Sequence, residues 1–158
     1  MKSEAIENIN STTNELVSVI SSFEQESLNS VPFEGSWTAA QVADHVLKSY
    51  GGVWEILNNK AIPCERKPDE KVQAVKDLFL DFSIRMTSPD FVLPTNLSLE
   101  KETLIQNLNQ LRTNLINQIE LVDLTNIFIE FELPGFGPFT GLEWVHFLIY
   151  HMQRTFGK

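Results

Sequence analysis

Cysteine is almost absent from this sequence, since Cys64 is the only one among 158 residues. A single cysteine cannot form a disulfide within the chain. This excludes the disulfide-rich scaffolds of small secreted proteins and favours a reducing, cytoplasmic location. Cys64 lies in a polar segment, residues 62–68, which we predict to be a loop. No second feature marks it as a nucleophile, and we interpret it as a bystander.

Long hydrophobic runs are also missing. No window of the sequence approaches the roughly 18 apolar residues that a membrane-spanning helix requires. Residues 1–7 lack the apolar core of a secretory signal. We therefore predict a cytoplasmic protein that has no membrane partner.

Basic residues are few, because 12 Lys and Arg stand against 21 Asp and Glu, which gives a formal net charge of −9. An acidic surface without a basic patch repels a phosphate backbone, so we expect no binding to nucleic acid. The hydrophobic and charged fractions, 42% and 21%, are ordinary for a soluble globular protein. We predict a single domain over residues 1–158.

Apolar residues recur every three or four positions in two N-terminal segments, which is the spacing of amphipathic helices. The first segment covers residues 3–27. The second begins at Thr38, because Thr38 and Gln41 have the spacing of a capping box. Gly51 and Gly52 lie in the middle of this second helix, where they either permit the close approach of another backbone or produce a local bend.

The middle of the chain contains two further helical segments. Residues 69–86, including Phe82 on the buried side, predict a shorter helix. The two prolines within residues 86–94 exclude regular helix there. Ser98 is predicted to cap a long helix whose apolar residues keep helical spacing as far as Ile119.

The last part of the chain changes from an extended pattern to a helical one. Residues 127–133 alternate apolar and acidic side chains toward their end, but one isolated extended segment cannot form a sheet. We therefore predict a strap across the helices that ends at residues 134–138. Thr140 and Glu143 repeat the capping-box spacing and open the last helix.

Four long amphipathic helices and one short helix, with few strand candidates, predict an all-α fold. The expected architecture is a four-helix bundle with one short extra helix. The connections between the second and fourth long helices are too long for a simple up-and-down bundle, so we predict a long crossing connection.

The chain has three histidines, two of them on the last predicted helix. His45 and His151 each border an apolar stripe, so each can point into the bundle, where imidazoles commonly bind metal ions. Alternatively, both are hydrogen-bonded histidines in the core or half-exposed. His146 is five residues from His151, a rotation of about 140° on a helix, which places it on a different face.

Two stretches of the sequence resemble the DinB-like superfamily. The first is Trp37-Thr-Ala-Ala-Gln-Val-Ala-Asp-His45, and the second runs from Gly137-Pro-Phe-Thr-Gly-Leu-Glu-Trp to His151-Met-Gln-Arg-Thr155. The order of helices and the loop lengths are similar along nearly the whole chain. The resemblance implies a DinB-like four-helix bundle with a divalent-metal site of three histidines.

In this resemblance His45 and His151 match two of the three ligand positions, and Thr155 occupies the third. It implies a divalent ion (Zn, Ni or Mn) that activates a bound water or thiol. The implied activity is that of a hydrolase or of a thiol transferase using bacillithiol or mycothiol. Because Thr is a poor metal ligand, either Asp44, Glu143, water or another group completes the site, or the chain is a metal-free binding or interaction protein.

The expected partner is a small-molecule substrate. Arg154 lies beside the site and either meets an anionic substrate or is solvated. Relatives are often dimers, and the apolar side chains of Trp54, Trp144 and Phe147 suggest a two-fold helix interface, so we expect a homodimer. Five aromatic residues are assigned to the core or an interface rather than to a substrate platform: Trp37, Trp54, Trp144, Phe147 and Tyr150.

Overall fold

Four long helices form the body of the molecule in the computed structural model, which describes residues 2–32, 34–84 and 98–156. In chain order the elements are α1 (Lys2–Ser22), α2 (Gln25–Leu28), α3 (Ala39–Leu57), β1 (Ala61–Ile62), α4 (Val72–Phe79), α5 (Lys101–Leu121), β2 (Ile127–Leu133), β3 (Gly137–Thr140) and α6 (Gly141–Phe156). Among the helices of these ranges, none is long and apolar enough to cross a membrane.

The long helices α1, α3, α5 and α6 confirm the predicted four-helix bundle. α1 packs against α5 and α6, and α3 packs against the same two helices, whereas α1 and α3 contact each other much less. α1 and α3 therefore occupy opposite corners of the bundle, and so do α5 and α6. The connection from α5 to α6 crosses the bundle, as predicted for the region between the second and fourth long helices.

The apolar stripes of the long helices face a common core. On α1 the buried side chains recur at helical spacing: Ala5, Ile9, Thr12, Thr13, Leu16 and Ile20. The buried hydroxyl of Thr13 forms a 2.8 Å hydrogen bond with the hydroxyl of Tyr50 on α3. Burial raises the pKa of Tyr50 to about 12, so the phenol stays neutral in the core.

Both capping boxes predicted from the sequence are present. At the start of α3 the backbone N–H of Gln41 donates to Thr38 Oγ1 at 3.0 Å, and the N–H of Thr38 donates to Gln41 Oε1 at 2.9 Å. At the start of α6 the N–H groups of Thr140 and Glu143 make the same reciprocal bonds, at 2.8 and 3.1 Å. Each box satisfies backbone donors that a helix start leaves unpaired.

The helix predicted over residues 69–86 is wrong in extent, because α4 ends at Phe79. The guanidinium of Arg154 on α6 accounts for this early end. It donates to the carbonyl oxygens of Phe79 at 3.2 Å and Asp81 at 3.0 Å, and also to that of Ile84. Carbonyl groups beyond the helix end thus have a partner without a further helical turn.

Two other predictions about the connections are also wrong. The helix predicted over residues 3–27 stops at Ser22 and is followed by the separate short helix α2. Phe82, predicted to lie on a buried side, is 53% exposed. The prediction for residues 86–94 lies outside the described residues.

Ser98 does not cap α5, because the position before its first helical residue is Glu100, whose side chain makes no capping bond. The first turn is held instead by the segment around α2. Gln25 Oε1 accepts from the N–H of Lys101 at 2.8 Å. The side-chain amide of Asn29 pairs with both backbone groups of Leu99 at 2.7 Å. These partners are distant in sequence, so no local pattern reveals them.

The strap predicted over residues 127–133 is instead the central strand of a small antiparallel sheet, in the order β1-β2-β3. β1 pairs with β2 at Ala61 and Phe128, and β3 returns along β2 so that Thr140 pairs with Ile127. The turn between β2 and β3 uses Gly135 at φ 86°, a conformation that favours glycine. β3 leads directly into α6 and sets the position of its first turn.

Candidate ligand-binding site

His45 on α3 and His151 on α6, 106 residues apart in the sequence, meet inside the bundle. Their Nε2 atoms lie 3.0 Å apart, a hydrogen-bond distance, and the ring centroids lie 4.8 Å apart. His45 is 3% exposed. The structure therefore brings together the two histidines that the sequence singled out. Their role as metal ligands stays a prediction.

Aromatic side chains enclose the histidine pair. The ring of Trp37 lies 5.2 Å from that of His45, measured between centroids. Phe147 stacks on His151 at 5.6 Å, and Phe79 approaches the same imidazole edge-on at 6.1 Å. These apolar neighbours remove water from the imidazoles without supplying hydrogen-bond partners.

Burial lowers the pKa of His151 from 6.5 to about 3, and the nearby His45 and Arg154 act in the same direction. The residue as a whole is half-buried, but its Nδ1 is fully covered and has no hydrogen-bond partner in the described part of the chain. An unpaired N–H is rarer than an unpaired acceptor, which favours a proton on Nε2 of His151, donated to Nε2 of His45.

A cavity of about 1700 Å³ adjoins the histidine pair, and its walls are mostly apolar. This volume exceeds the roughly 300–1,000 Å³ typical of small-molecule pockets. Two of its wall residues, Trp144 and His151, have a buried nitrogen without a hydrogen-bond partner among the described residues, Nε1 and Nδ1 respectively. Unsatisfied buried polar atoms are uncommon in native proteins and frequently mark functional regions.

Thr155 also lines the cavity, one helical turn beyond His151. Its hydroxyl donates to the carbonyl oxygen of His151 at 2.6 Å, so its proton is used within the helix. Within residues 2–32, 34–84 and 98–156, no three His, Cys, Asp or Glu side chains are grouped to hold a metal ion.

The two carboxylates considered as substitute ligands are engaged elsewhere. Asp44 forms an ion pair with Lys48 at 3.1 Å. Glu143 is completely buried, and its two oxygens accept from the guanidinium of Arg66 at 2.7 and 2.8 Å. They also accept from two backbone N–H groups, one of them that of Lys71 at 2.7 Å. All four bonds hold the start of α6, so the suggestion that Glu143 completes a metal site is wrong.

Of the two alternatives considered for Arg154, the solvated one is wrong. The side chain is 5% exposed and donates to three carbonyl oxygens at the end of α4, so it is not solvated. It also lines the cavity, and its contact with an anionic substrate stays a prediction. His146 takes no part in the pair, as predicted. Its ring lies 6.0 Å from that of Tyr150, and burial lowers its pKa.

The histidines supply two of the three protein ligands of the metal centre that the resemblance implies. Two nitrogens bonded to one ion at about 2.0–2.1 Å lie about 3.3–3.4 Å apart when the ion is tetrahedral, and about 2.9 Å apart at a right angle. The 3.0 Å between Nε2 of His45 and Nε2 of His151 falls between these values. A third protein ligand is missing from the described residues, so the full three-ligand centre does not fit.

The assignment of all five aromatic residues to the core or an interface is only partly correct. Trp37, Trp144 and Phe147 all line the cavity, although Trp144 is only 1% exposed. A signal for this cavity was present in Gly51 and Gly52. A Cβ added at either glycine would meet no atom within 4 Å, so the close backbone approach suggested for them is wrong. Gly52 lines the cavity.

Comparisons with known proteins agree with this architecture. A family model described as the DinB superfamily matches residues 8–154. A crystal structure described as TT2238, a four-helix bundle protein, superposes with a TM-score of 0.61 at 17% sequence identity and covers 99% of this chain and 97% of its own. That identity supports a shared fold alone. No curated protein matches the chain in sequence.

Proposed function

Because the chain belongs to the DinB superfamily but lacks the third expected histidine, we propose that it binds a small, largely apolar molecule without needing a metal ion. The observation that carries this proposal is the cavity of about 1700 Å³ with His45 and His151 in its wall. The apolar wall supplies contact area, and the imidazole pair supplies a polar anchor for one group of the ligand.

The properties of the imidazole pair favour binding over acid–base catalysis. A general base works best with a pKa near the working pH, and the pKa of His151 is lowered to about 3. Its ring is therefore neutral at physiological pH and pairs with His45 through Nε2. Trp144 Nε1 and His151 Nδ1, which lack partners among the described residues, give a bound ligand or water two further polar atoms to approach after a small rearrangement.

A side chain at position 52 tests this proposal. Gly52 lines the cavity, and a Cβ there meets no atom within 4 Å, so Gly52→Phe should add a ring to this part of the wall. Binding of the uncharged fluorescent probe N-phenyl-1-naphthylamine should weaken severalfold, since the new ring takes up part of the wall that the probe contacts.

Gly51→Phe is the matched control for this variant. Gly51 is also on α3 with open space around its Cβ, but it is not part of the cavity wall. The control should keep the affinity of the parent protein for the probe. Equal binding by the parent, Gly51→Phe and Gly52→Phe proteins would refute a ligand site in the cavity.

A second candidate function is metal-dependent hydrolysis or thiol transfer, as the resemblance implies. The 3.0 Å between the Nε2 atoms of His45 and His151 favours it, because two imidazoles this close can bind one ion. The metal content of protein purified without a histidine tag, with titrations of Zn²⁺, Ni²⁺ and Mn²⁺, separates the candidates. Absence of stoichiometric metal, with identical titrations for the parent and His45→Ala proteins, would exclude the metal-dependent function.

We also keep the homodimer as a proposal about assembly. Trp144 is buried in the core and Phe147 is part of the cavity wall, so of the three residues first suggested for the interface only Trp54 remains a candidate. Light scattering at high micromolar concentration tests it, and a monomer mass there would remove the dimer.

A further inference from the structure

We propose that the cavity takes an apolar molecule with one carboxylate group, and that Arg154 on α6 binds this carboxylate. This assignment rests on the proposed function, because it names the class of molecule that the cavity accepts. It is carried by the position of Arg154 in the cavity wall and by the N–H groups of its guanidinium that have no partner among the described residues.

Arg154 lies on the face of α6 that forms part of the cavity wall. The residues of α6 that line the cavity have helical spacing and therefore share one face: Trp144, Phe147, His151, Arg154 and Thr155. Arg154 is about one turn beyond His151, so a group bound to it lies at the same end of the cavity as the histidine pair. Only 5% of Arg154 is exposed, so its guanidinium is held by protein contacts and is not free in water.

The guanidinium of Arg154 has N–H groups to spare. An arginine side chain has five N–H donors. Nη1 donates to the carbonyl oxygens of Phe79 and Asp81, and Nη2 donates to that of Ile84. The N–H of Nε and one N–H of Nη2 have no partner in the described part of the chain. Nε and Nη2 are neighbours in the planar group, and such a pair can bind both oxygens of one carboxylate.

The positive charge of Arg154 has no carboxylate partner within residues 2–32, 34–84 and 98–156. The more exposed Arg66, by contrast, is paired with Glu143 at 2.7 Å. The carboxylate of Asp81 bonds to the backbone N–H and the hydroxyl of Ser83 and not to Arg154. A buried charge is costly unless an opposite charge compensates it, so the more buried of these two arginines is the one suited to an anionic ligand.

The guanidinium matches one carboxylate on an apolar molecule. Two N–H groups and one positive charge correspond to two oxygens and one negative charge. The walls of the cavity are mostly apolar, which suits the rest of the ligand. Glu55 and Glu130 also line the cavity, but their side chains are exposed, so water and salt screen their repulsion of an anion. Direct contact with the buried guanidinium is therefore the stronger interaction.

Two ligands of nearly the same shape test this assignment. 1-Naphthaleneacetate carries a carboxylate at neutral pH, and 1-naphthaleneacetamide has an uncharged amide in its place. Displacement of bound N-phenyl-1-naphthylamine from the parent protein measures the affinity of each. The acetate should bind at least about tenfold more tightly than the acetamide, because only the acetate forms charge-assisted hydrogen bonds with the guanidinium.

Arg154→Gln should abolish this preference. The acetate should then bind no more tightly than the acetamide, since the charge and the paired N–H groups are gone. The ratio of the two affinities distinguishes a ligand contact from a structural role, because a disturbed end of α4 would weaken both ligands alike. Lys76→Gln is the control, since it removes one positive charge at an exposed position of α4 outside the described cavity wall. It should keep the tenfold preference.

Arg154→Lys provides the test if Arg154→Gln does not fold. Lysine keeps the positive charge and can donate to the same carbonyl oxygens, but it lacks the planar pair of N–H groups. The preference for the acetate should fall by at least about threefold in this variant. An undiminished preference would overturn the binding of the carboxylate by Arg154.

The outcomes separate this assignment from the proposed function. Equal displacement of the probe by the acetate and the acetamide would overturn the carboxylate and leave the cavity as a ligand site. A preference that persists in Arg154→Gln would overturn the role of Arg154. Probe binding that Gly52→Phe does not weaken would overturn the proposed function, and this assignment with it.

Discussion

Glu143 and His151 lie on the same helix, two turns apart, and their surroundings are opposite in character. Glu143 is completely buried, and each of its oxygens accepts two hydrogen bonds, one from Arg66 and one from a backbone N–H. The Nδ1 of His151 is also fully covered, but it has no partner among the described residues. His151 also lines the cavity, so one side of it is not covered by close-packed side chains.

The difference is that the buried polar group at the start of α6 has all its hydrogen-bond partners, whereas the one near its end lacks a partner among the described residues. A buried carboxylate is stable only when its charge and its lone pairs are satisfied, which is the case for Glu143. An unsatisfied nitrogen beside a large cavity lowers stability and is retained where a protein binds or acts on something else. The start of α6 therefore contributes to stability, whereas the end near His151 is where our proposal places the ligand.

The largest loss of stability is expected when the hydrogen bonds of Glu143 are disrupted. Glu143→Gln removes the charge that pairs with Arg66 and replaces one acceptor oxygen with an NH₂ group beside donors. We expect unfolding free energy to fall by about 3–5 kcal/mol, because one partner of a buried ion pair is left without its counter-charge. Chemical denaturation with urea measures this loss.

Glu70→Gln is the matched control for Glu143→Gln. Glu70 approaches the same guanidinium at 3.5 Å, but its side chain is 54% exposed. Exposed ion pairs contribute little, so this substitution should change the unfolding free energy by less than about 1 kcal/mol. Equal losses for the two variants would show that burial does not distinguish the two carboxylates.

The buried ring of His151 should make the stability of the protein depend on pH. The pKa of His151 is lowered from 6.5 to about 3. Between about pH 3 and pH 6.5 this residue is therefore protonated in the unfolded chain and neutral in the folded chain. Its contribution to stability is present above about pH 6.5 and is lost as the pH falls toward 3. The total loss should be a few kcal/mol, at most about 5, at about 1.4 kcal/mol per pKa unit.

Urea denaturation at a series of pH values measures this effect in the parent and His151→Leu proteins. The variant should show a smaller loss of stability between pH 6.5 and 3, because the titrating group is gone. His146→Leu should retain the contribution of His151. A pH dependence that is unchanged in His151→Leu would contradict the assignment of the shift to this residue.

The smallest effect is expected on metal affinity, when a histidine is placed at the third ligand position. Thr155→His places a third imidazole one turn beyond His151, and Zn²⁺ affinity should rise by about 10- to 100-fold, or about 1.4–2.8 kcal/mol. Isothermal titration of the untagged protein measures it. An unchanged affinity would mean that the pair does not keep a geometry suited to a metal.

Thr113→His controls for a histidine added at random. The hydroxyl of Thr113 bonds to the carbonyl oxygen of Asn109, four residues earlier at 3.1 Å, as that of Thr155 does with His151. Thr113 is exposed on α5, so its substitution should leave the Zn²⁺ affinity unchanged.

Features of the fold that depend on neighbouring residues could be predicted from the sequence. The two capping boxes and the bundle follow from spacings of three and four residues, which local periodicity reports. The sheet could not be predicted this way, because β1 has only two residues and pairs with Phe128, far along the chain. The end of α4 involves Arg154, 75 residues beyond Phe79. Its position was therefore predicted wrongly for the same reason.

In the candidate site, too, only the features that depend on local sequence could be predicted. His45 and His151 were recognisable because each borders an apolar stripe, and helix geometry removed His146 from the pair. The cavity beside them was not predicted, because its volume depends on which faces of α1, α3, α6 and β2 fail to meet. Arg154 was misread because a lone arginine at a helix end gives no indication of distant carbonyl partners.

The volume of the cavity can be changed by substitution of Gly52. Because its Cβ position is open space, each larger side chain there would take up more of the cavity volume. A series from Ala through Val and Leu to Phe would therefore act as a molecular ruler, reporting the length of an unknown ligand from the substitution at which its binding stops.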